Sequence, residues 1–176
     1  DIQMDLLRPL DFPFHLLARA TGMTAYITMI PCLPACLLGA GLLGLKGPAG
    51  LEAGLLFLPS LGLAFLVSYG MQLLMGMVAV YAIQVRRISW VFTAIGSFFS
   101  GQLVPLWIFP PVLARVAALL PFQALIGIPL SIYIGRLEGP QAIQAMGVQA
   151  AWAGALLLAG RAIWVRAHRK LTVQGG

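Results

Sequence analysis

Cys32 and Cys36, spaced C-x3-C, and the two histidines His15 and His168 are the residues whose chemistry would suit a metal or redox centre. Neither pair closes into a site. The cysteines lie inside an apolar run, where small thiols act as packing or lipid-facing groups, and two of them make no disulfide framework. Each histidine stands alone near the end of an apolar segment, so neither a ligand set nor a catalytic base emerges. An activated nucleophile would need a base beside it, and none can be assembled. The one Gly-Lys neighbourhood, residues 44 to 50, lacks the Lys-Ser/Thr pair and the preceding strand of a phosphate-binding loop. We therefore expect no catalysis, no cofactor and no metal.

Uncharged polar chemistry is present instead. Ser89, Thr93, Gly96 and Ser100 recur at i, i+4, i+7 and i+11, a small and polar face on an otherwise bulky helix. Ser68 and Gln72 sit one turn apart beside Gly70 and Gly76. Such faces serve helix packing or line a translocation path, and the candidates for the second role are Ser68, Gln72, Thr93, Ser97, Ser100 and Gln102. Met71, Met75 and Met77 add soft apolar surface of the kind found in cores and in sites for greasy ligands.

The elements that must carry these residues follow from charge. The chain has 176 residues, 60% hydrophobic, with only 11 Lys plus Arg and 5 Asp plus Glu, and a mean hydropathy of +0.94. Its charge-free gaps are residues 20–45, 53–85, 88–114, 116–135 and 139–160. Four of these five exceed the roughly 20 apolar residues that cross a bilayer, and the alternation of a membrane barrel is absent. The expected fold is an all-α, polytopic helical membrane protein, a single membrane domain over residues 1–176. The net charge of +6 is scattered at the ends of apolar segments, which argues for membrane orientation and against nucleic acid.

Four transmembrane helices are expected at 23–45, 55–83, 88–108 and 142–164. Before them, Asp1, Asp5, Arg8, Asp11, His15 and Arg19 form a stripe at helical spacing with leucines on the other side. Pro9 and Pro13 would kink this segment, so residues 1–20 read as an interfacial elbow on the membrane surface. Between the last two spans, Pro121 divides residues 111–136 into pieces of about 10 and 15 residues, too short for a core of about 30 Å. With Arg115 and Pro129 present, the segment reads as an external re-entrant hairpin, whose gate candidates are Pro105, Pro110, Arg115 and Pro121. Residues 165–176 form a basic tail. This layout puts Arg8, Arg19, Arg86, Arg87, Arg161, Arg166, Arg169 and Lys170 on the inner side and only Lys46, Arg115 and Arg136 outside, eight against three. Both ends are then cytoplasmic. Because the chain opens on Asp1 in a polar stretch without a leader, we expect further spans upstream in a longer protein.

The order of features resembles the membrane subunits of the ABC-2 family of ATP-driven transporters, in particular its bacterial branch of roughly six-span permeases. The likeness rests on Asp5-Leu6-Leu7-Arg8-Pro9-Leu10, on Phe99-Ser100-Gly101-Gln102-Leu103-Val104-Pro105-Leu106 followed by Phe109-Pro110, on Leu120-Pro121-Phe122, and on Val173-Gln174-Gly175-Gly176. It extends over nearly the whole chain, with Ile128-Pro129 standing where similar proteins often carry Tyr-Pro. The resemblance implies that residues 1–20 are the cytoplasmic segment between spans two and three, docking on an ABC ATPase subunit. It also implies a second permease subunit and a re-entrant hairpin on the outer side before the last span.

With no nucleotide site of its own, such a permease takes its energy from partners, and Asp5, Arg8, Pro9 and Asp11 are the candidates for ATPase coupling. The expected function is a permease subunit of an exporter in the bacterial inner membrane. The alternatives are a non-transporting assembly or scaffold protein and, disfavoured by the lack of intramembrane charge, a secondary carrier.

Overall fold

The computed structural model describes residues 12–44, 46–81 and 85–174. Among these, every regular element is helical and no strand occurs. Three helices are long and apolar enough to cross a bilayer, Phe14–Leu42, Leu51–Met77 and Gly139–Val165, which makes the chain a multi-pass membrane protein. The coupling candidates Asp5, Arg8, Pro9 and Asp11 lie outside the described residues, as do residues 82–84.

The chain divides into two compact units, Asp1–Gly47 and Pro48–Gly176. In the first, α1 (Phe12–Ile27), a π-helical turn (Thr28–Cys32) and α2 (Leu33–Leu42) follow one another without interruption. The sequence suggested an elbow ending near residue 20 and a separate span from 23, whereas the helix runs straight through. Pro13 falls in the first turn of α1, where its missing N–H has no intrahelical partner to lose. Thr21 donates its hydroxyl to the Leu17 carbonyl at 2.9 Å, so its polar group is satisfied inside the helix and does not break it. Pro31 lies within the π turn, where the widened coil accommodates the missing i→i−4 bond.

In the second unit, α3 (Leu51–Tyr81), α4 (Val85–Phe99), α5 (Pro111–Ala118), α6 (Gly127–Tyr133) and α7 (Gly139–Gln174) are joined by 3-10 turns at Leu106–Ile108 and Pro121–Ala124. The long helices α3 and α7 form the frame and run parallel. Ser60 bonds to Gln149, Gly70 faces Leu156 and Leu73 faces Gly160, so residue numbers rise together along the pair. A Cβ on Gly70 would stand 2.7 Å from the Leu156 Cβ, and one on Gly160 would stand 2.5 Å from the Leu73 Cδ2. Each glycine thus admits a leucine of the other helix, the packing by which helices associate in lipid.

Gln149 and Ser60 are both fully buried. The Ser60 hydroxyl donates to Gln149 Oε1 at 2.9 Å, while Gln149 Nε2 donates to the Ser60 carbonyl at 3.2 Å and to the Ala124 carbonyl at 2.8 Å. One amide therefore ties α3, α7 and the Pro121–Ala124 turn together. Phe122, Ile128 and Ile132 pack beside it with Val67, Met71 and Leu156.

Three expectations change. The span expected over 88–108 is helical only from Val85 to Phe99, 15 residues, or about 22 Å. Gly101 adopts φ +87° and ends it, and Pro105 starts the next 3-10 turn. The segment 111–136 comes in three short pieces of 8, 4 and 7 residues, not two. Pro129, expected to break helix, sits in the first turn of α6, where no backbone donor is missed. That helix closes on Gly135 at φ +71°, with its N–H on the Ile132 carbonyl and the Arg136 N–H on the Ser131 carbonyl, the paired bonds of a Schellman ending. Finally, α7 does not stop near 164 but stays helical through most of the expected tail, to Gln174.

Two measurements check this frame by reversible unfolding in mixed micelles. Gly160→Leu should destabilise by about 1–3 kcal/mol through overpacking, whereas Gly147→Leu, where a Cβ meets nothing within 4 Å, should be neutral or mildly stabilising. Gln149→Leu should cost about 1–3 kcal/mol by stranding the Ser60 hydroxyl and the Ala124 carbonyl. Adding Ser60→Ala to it should cost less than the sum of the two single changes.

Candidate functional site

Between α3 and α4 lies a cavity of about 360 Å³, closed on one side by Phe122, Leu125 and Ile126. Ser68, Gln72, Thr93, Ser97, Ser100 and Gln102 all line it, so every residue read from the sequence as a translocation candidate meets at one place. Helical period explains the α4 contribution, since Ser89, Thr93, Gly96 and Ser100 share a face. Gln102 joins them because the helix ends at Phe99 and Gly101 turns the chain.

Several of the polar groups are engaged along their own helix. Gln72 Nε2 donates to the Ser68 hydroxyl at 3.3 Å, the Thr93 hydroxyl to the Ser89 carbonyl at 2.8 Å, and the Ser100 hydroxyl to the Ser97 carbonyl at 3.3 Å. The remaining lining is apolar and soft, with Met71, Met75, Phe92 and Phe122. Phe92 and Phe122 meet edge to face at 5.5 Å between centroids. A Cβ on Gly96 would already stand 3.4 Å from the Phe122 ring, so a larger residue there would press that ring out of the wall. None of the described lining residues is ionisable. They can accept apolar surface and hydrogen-bond to uncharged polar groups.

The gate candidates are spread over three short elements. Pro105 and Pro110 precede the turn at Leu106 and the helix at Pro111, Pro121 opens the 3-10 turn behind Phe122, and Arg115 is exposed in the last turn of α5. The two ends of this segment are nevertheless joined, with the Arg136 guanidinium 4.3 Å above the Trp107 ring. Its middle is held by Gln149, a residue the sequence reading passed over. The available signal was an amide well inside the charge-free run 139–160, since Gln149 lies beyond Gln141 and Gln144 at its start and such a group needs partners in lipid. Among the described residues no group of three metal-ligating side chains occurs, and Cys32 and Cys36 are free and exposed, with their sulfurs 4.0 Å apart.

A family model described as ABC-2 family transporter protein matches residues 1–175. No curated protein and no solved structure matches the chain. The family match takes in the helices that build the cavity as well as those that span the bilayer, and the chain therefore belongs to the ABC-2 family of transporter proteins, the membrane components of ABC transport.

Proposed function

We propose that this chain is the permease subunit of an ABC-2 exporter in the bacterial inner membrane, forming the translocation path with a second permease subunit and driven by separate cytoplasmic ABC ATPase subunits. The observation that carries the reading is the cavity on which six polar residues of α3, α4 and the turn after α4 meet, within a chain of this family. None of its described lining residues is an ionisable group that could couple to a proton or ion gradient. The family match supports a moving partner as the source of energy.

The topology proposed is four crossings with both ends of this chain cytoplasmic. Because α3 and α7 run parallel, the chain between them must return to the side where it began, and α4 together with residues 100–108 is the stretch that does so. Irregular backbone at that depth is tolerated where it lines a cavity, as Gln102 does. Residues 111–136 then form the re-entrant hairpin on the outer side, and the eight-to-three distribution of basic residues favours the same orientation.

Coupling is assigned to Asp5, Arg8, Pro9 and Asp11 on the cytoplasmic elbow. Asp11 immediately precedes the uninterrupted helical run from Phe12 to Leu42, so a push on the elbow is passed directly into the first span.

Two experiments test this. Single cysteines at Gly47 and Gly139, in a background lacking Cys32 and Cys36, should label from outside intact cells, while those at Gln84 and Thr172 should not. Labelling of Gln84 from outside would overturn the orientation. Replacing Asp5 and Arg8 together by Ala should leave insertion and ATPase co-purification intact yet abolish substrate-stimulated ATP hydrolysis. Unchanged stimulation would remove the coupling role, and failure of any ABC ATPase to co-purify with the wild-type chain would favour a scaffold.

A further inference from the structure

The cavity wall also defines what it takes. Two kinds of surface line it: Met71, Met75 and Leu125 offer deformable apolar contact, and Ser68, Gln72 and Thr93 offer neutral hydrogen bonding. None of the described lining residues carries a charge, so an ionic head group held by them would lose hydration with no counter-charge from these residues to replace it.

The hydrogen-bond inventory narrows the choice further. The Thr93 hydroxyl hydrogen is already held by the Ser89 carbonyl, which leaves its oxygen as an acceptor, and Gln72 gives one N–H to Ser68, which leaves its second N–H and its Oε1. The Ser68 hydroxyl, having accepted from Gln72, still has a hydrogen to donate. A ligand matching this wall must both donate and accept through uncharged groups. Hydroxyls do both, sulfate and phosphate oxygens mainly accept, and a quaternary ammonium does neither.

We infer that the cavity binds uncharged amphiphiles with a hydroxyl-bearing head group, such as an alkyl glycoside, pairing the head with Ser68, Gln72 and Thr93 and laying the chain along Met71, Met75 and Leu125. The inference rests on reading this cavity as part of the transport path, and it adds the ligand's chemical class.

The test uses the full permease–ATPase complex in lipid nanodiscs, with Cys32→Ser and Cys36→Ser, and Met75→Cys as reporter of cavity occupancy through its rate of reaction with a methanethiosulfonate. Octyl glucoside, octyl sulfate and octyltrimethylammonium carry the same chain on three head groups, and free glucose supplies the head without the chain. Octyl glucoside should slow the reaction at least about tenfold, with the charged probes and glucose changing it less than about twofold. Gln72→Leu with Thr93→Val should weaken that protection by about tenfold.

Equal protection by all three head groups, or protection by glucose alone, would overturn the ligand class. So would a Met75→Cys that does not react in the assembled complex, because the cavity would then be filled by the second subunit. ATP hydrolysis measured in the same discs separates this from the transport reading. Protection by octyl glucoside without stimulation upholds the ligand class and removes transport, whereas stimulation by a charged probe that also protects removes the ligand class and leaves transport standing.

Discussion

Gln149 is the constraint on which the membrane unit depends. In a hydrocarbon surrounding there is no water to satisfy an amide, so its oxygen and nitrogen must find partners within the fold. It finds three, on two other elements. Along α7 the buried positions Ala142, Gln149, Ala153, Leu156 and Gly160 are spaced 7, 4, 3 and 4, and along α3 Ser60, Ala64, Val67 and Met71 are spaced 4, 3 and 4. These are the seams of two helices packed side by side, with a single polar pair in them. Apolar residues of similar size can slide past one another in lipid with little penalty, but Gln149 and Ser60 are satisfied in one register only. A lone polar residue fixes register in the same way within soluble coiled coils.

The short elements between α4 and α7 take their position from that register. The Ala124 carbonyl, left over at the end of a 3-10 turn, is the third partner of Gln149, and the turn it anchors places Phe122 in the cavity wall. On the other side, Gly127 allows the hairpin to approach α4, since a Cβ there would stand 3.2 Å from the Ser100 carbonyl. The cavity is therefore not a packing fault. It is the space left where a 15-residue helix stops at Phe99 and a segment held by Gln149 covers only part of the gap.

Spans and the polar face were legible because both depend on periodicity and charge, which sequence carries directly. Asp, Glu, Lys and Arg avoid the apolar runs, and Ser89, Thr93, Gly96 and Ser100 repeat at helical spacing whatever the fold around them. Ends of helices were less legible. Leu103, Val104 and Leu106 are as apolar as the helix before them, so hydropathy carries no sign that Gly101 has turned the backbone to positive φ. Pro129 was read as a breaker although a proline in a first turn breaks nothing. Gln149 does not stand out in sequence because it is one of three glutamines in its run, and only burial separates it from the exposed Gln141 and Gln144. Only its three partners, brought together from positions 60 and 124, reveal what it holds.

The same contacts indicate where the unit can change shape. The pair α3 and α7 is interlocked twice, Gly70 on Leu156 and Leu73 on Gly160, and pinned by the polar node, so sliding one helix past the other would break packing and strand buried hydrogen-bonding groups together. Between α3 and α4 the situation is reversed. Their facing side chains are separated by the cavity, and the Gln72 amide and the Thr93 and Ser100 hydroxyls bond along their own helices. Widening that gap leaves these three bonds intact. A motion that opens the cavity is therefore borne by α4 and the turn carrying Phe122, against a frame of α3 and α7 that does not yield. The residue that sits on the boundary between the yielding and the fixed parts is Gln149, whose bond to the Ala124 carbonyl is the one that such a motion must lengthen.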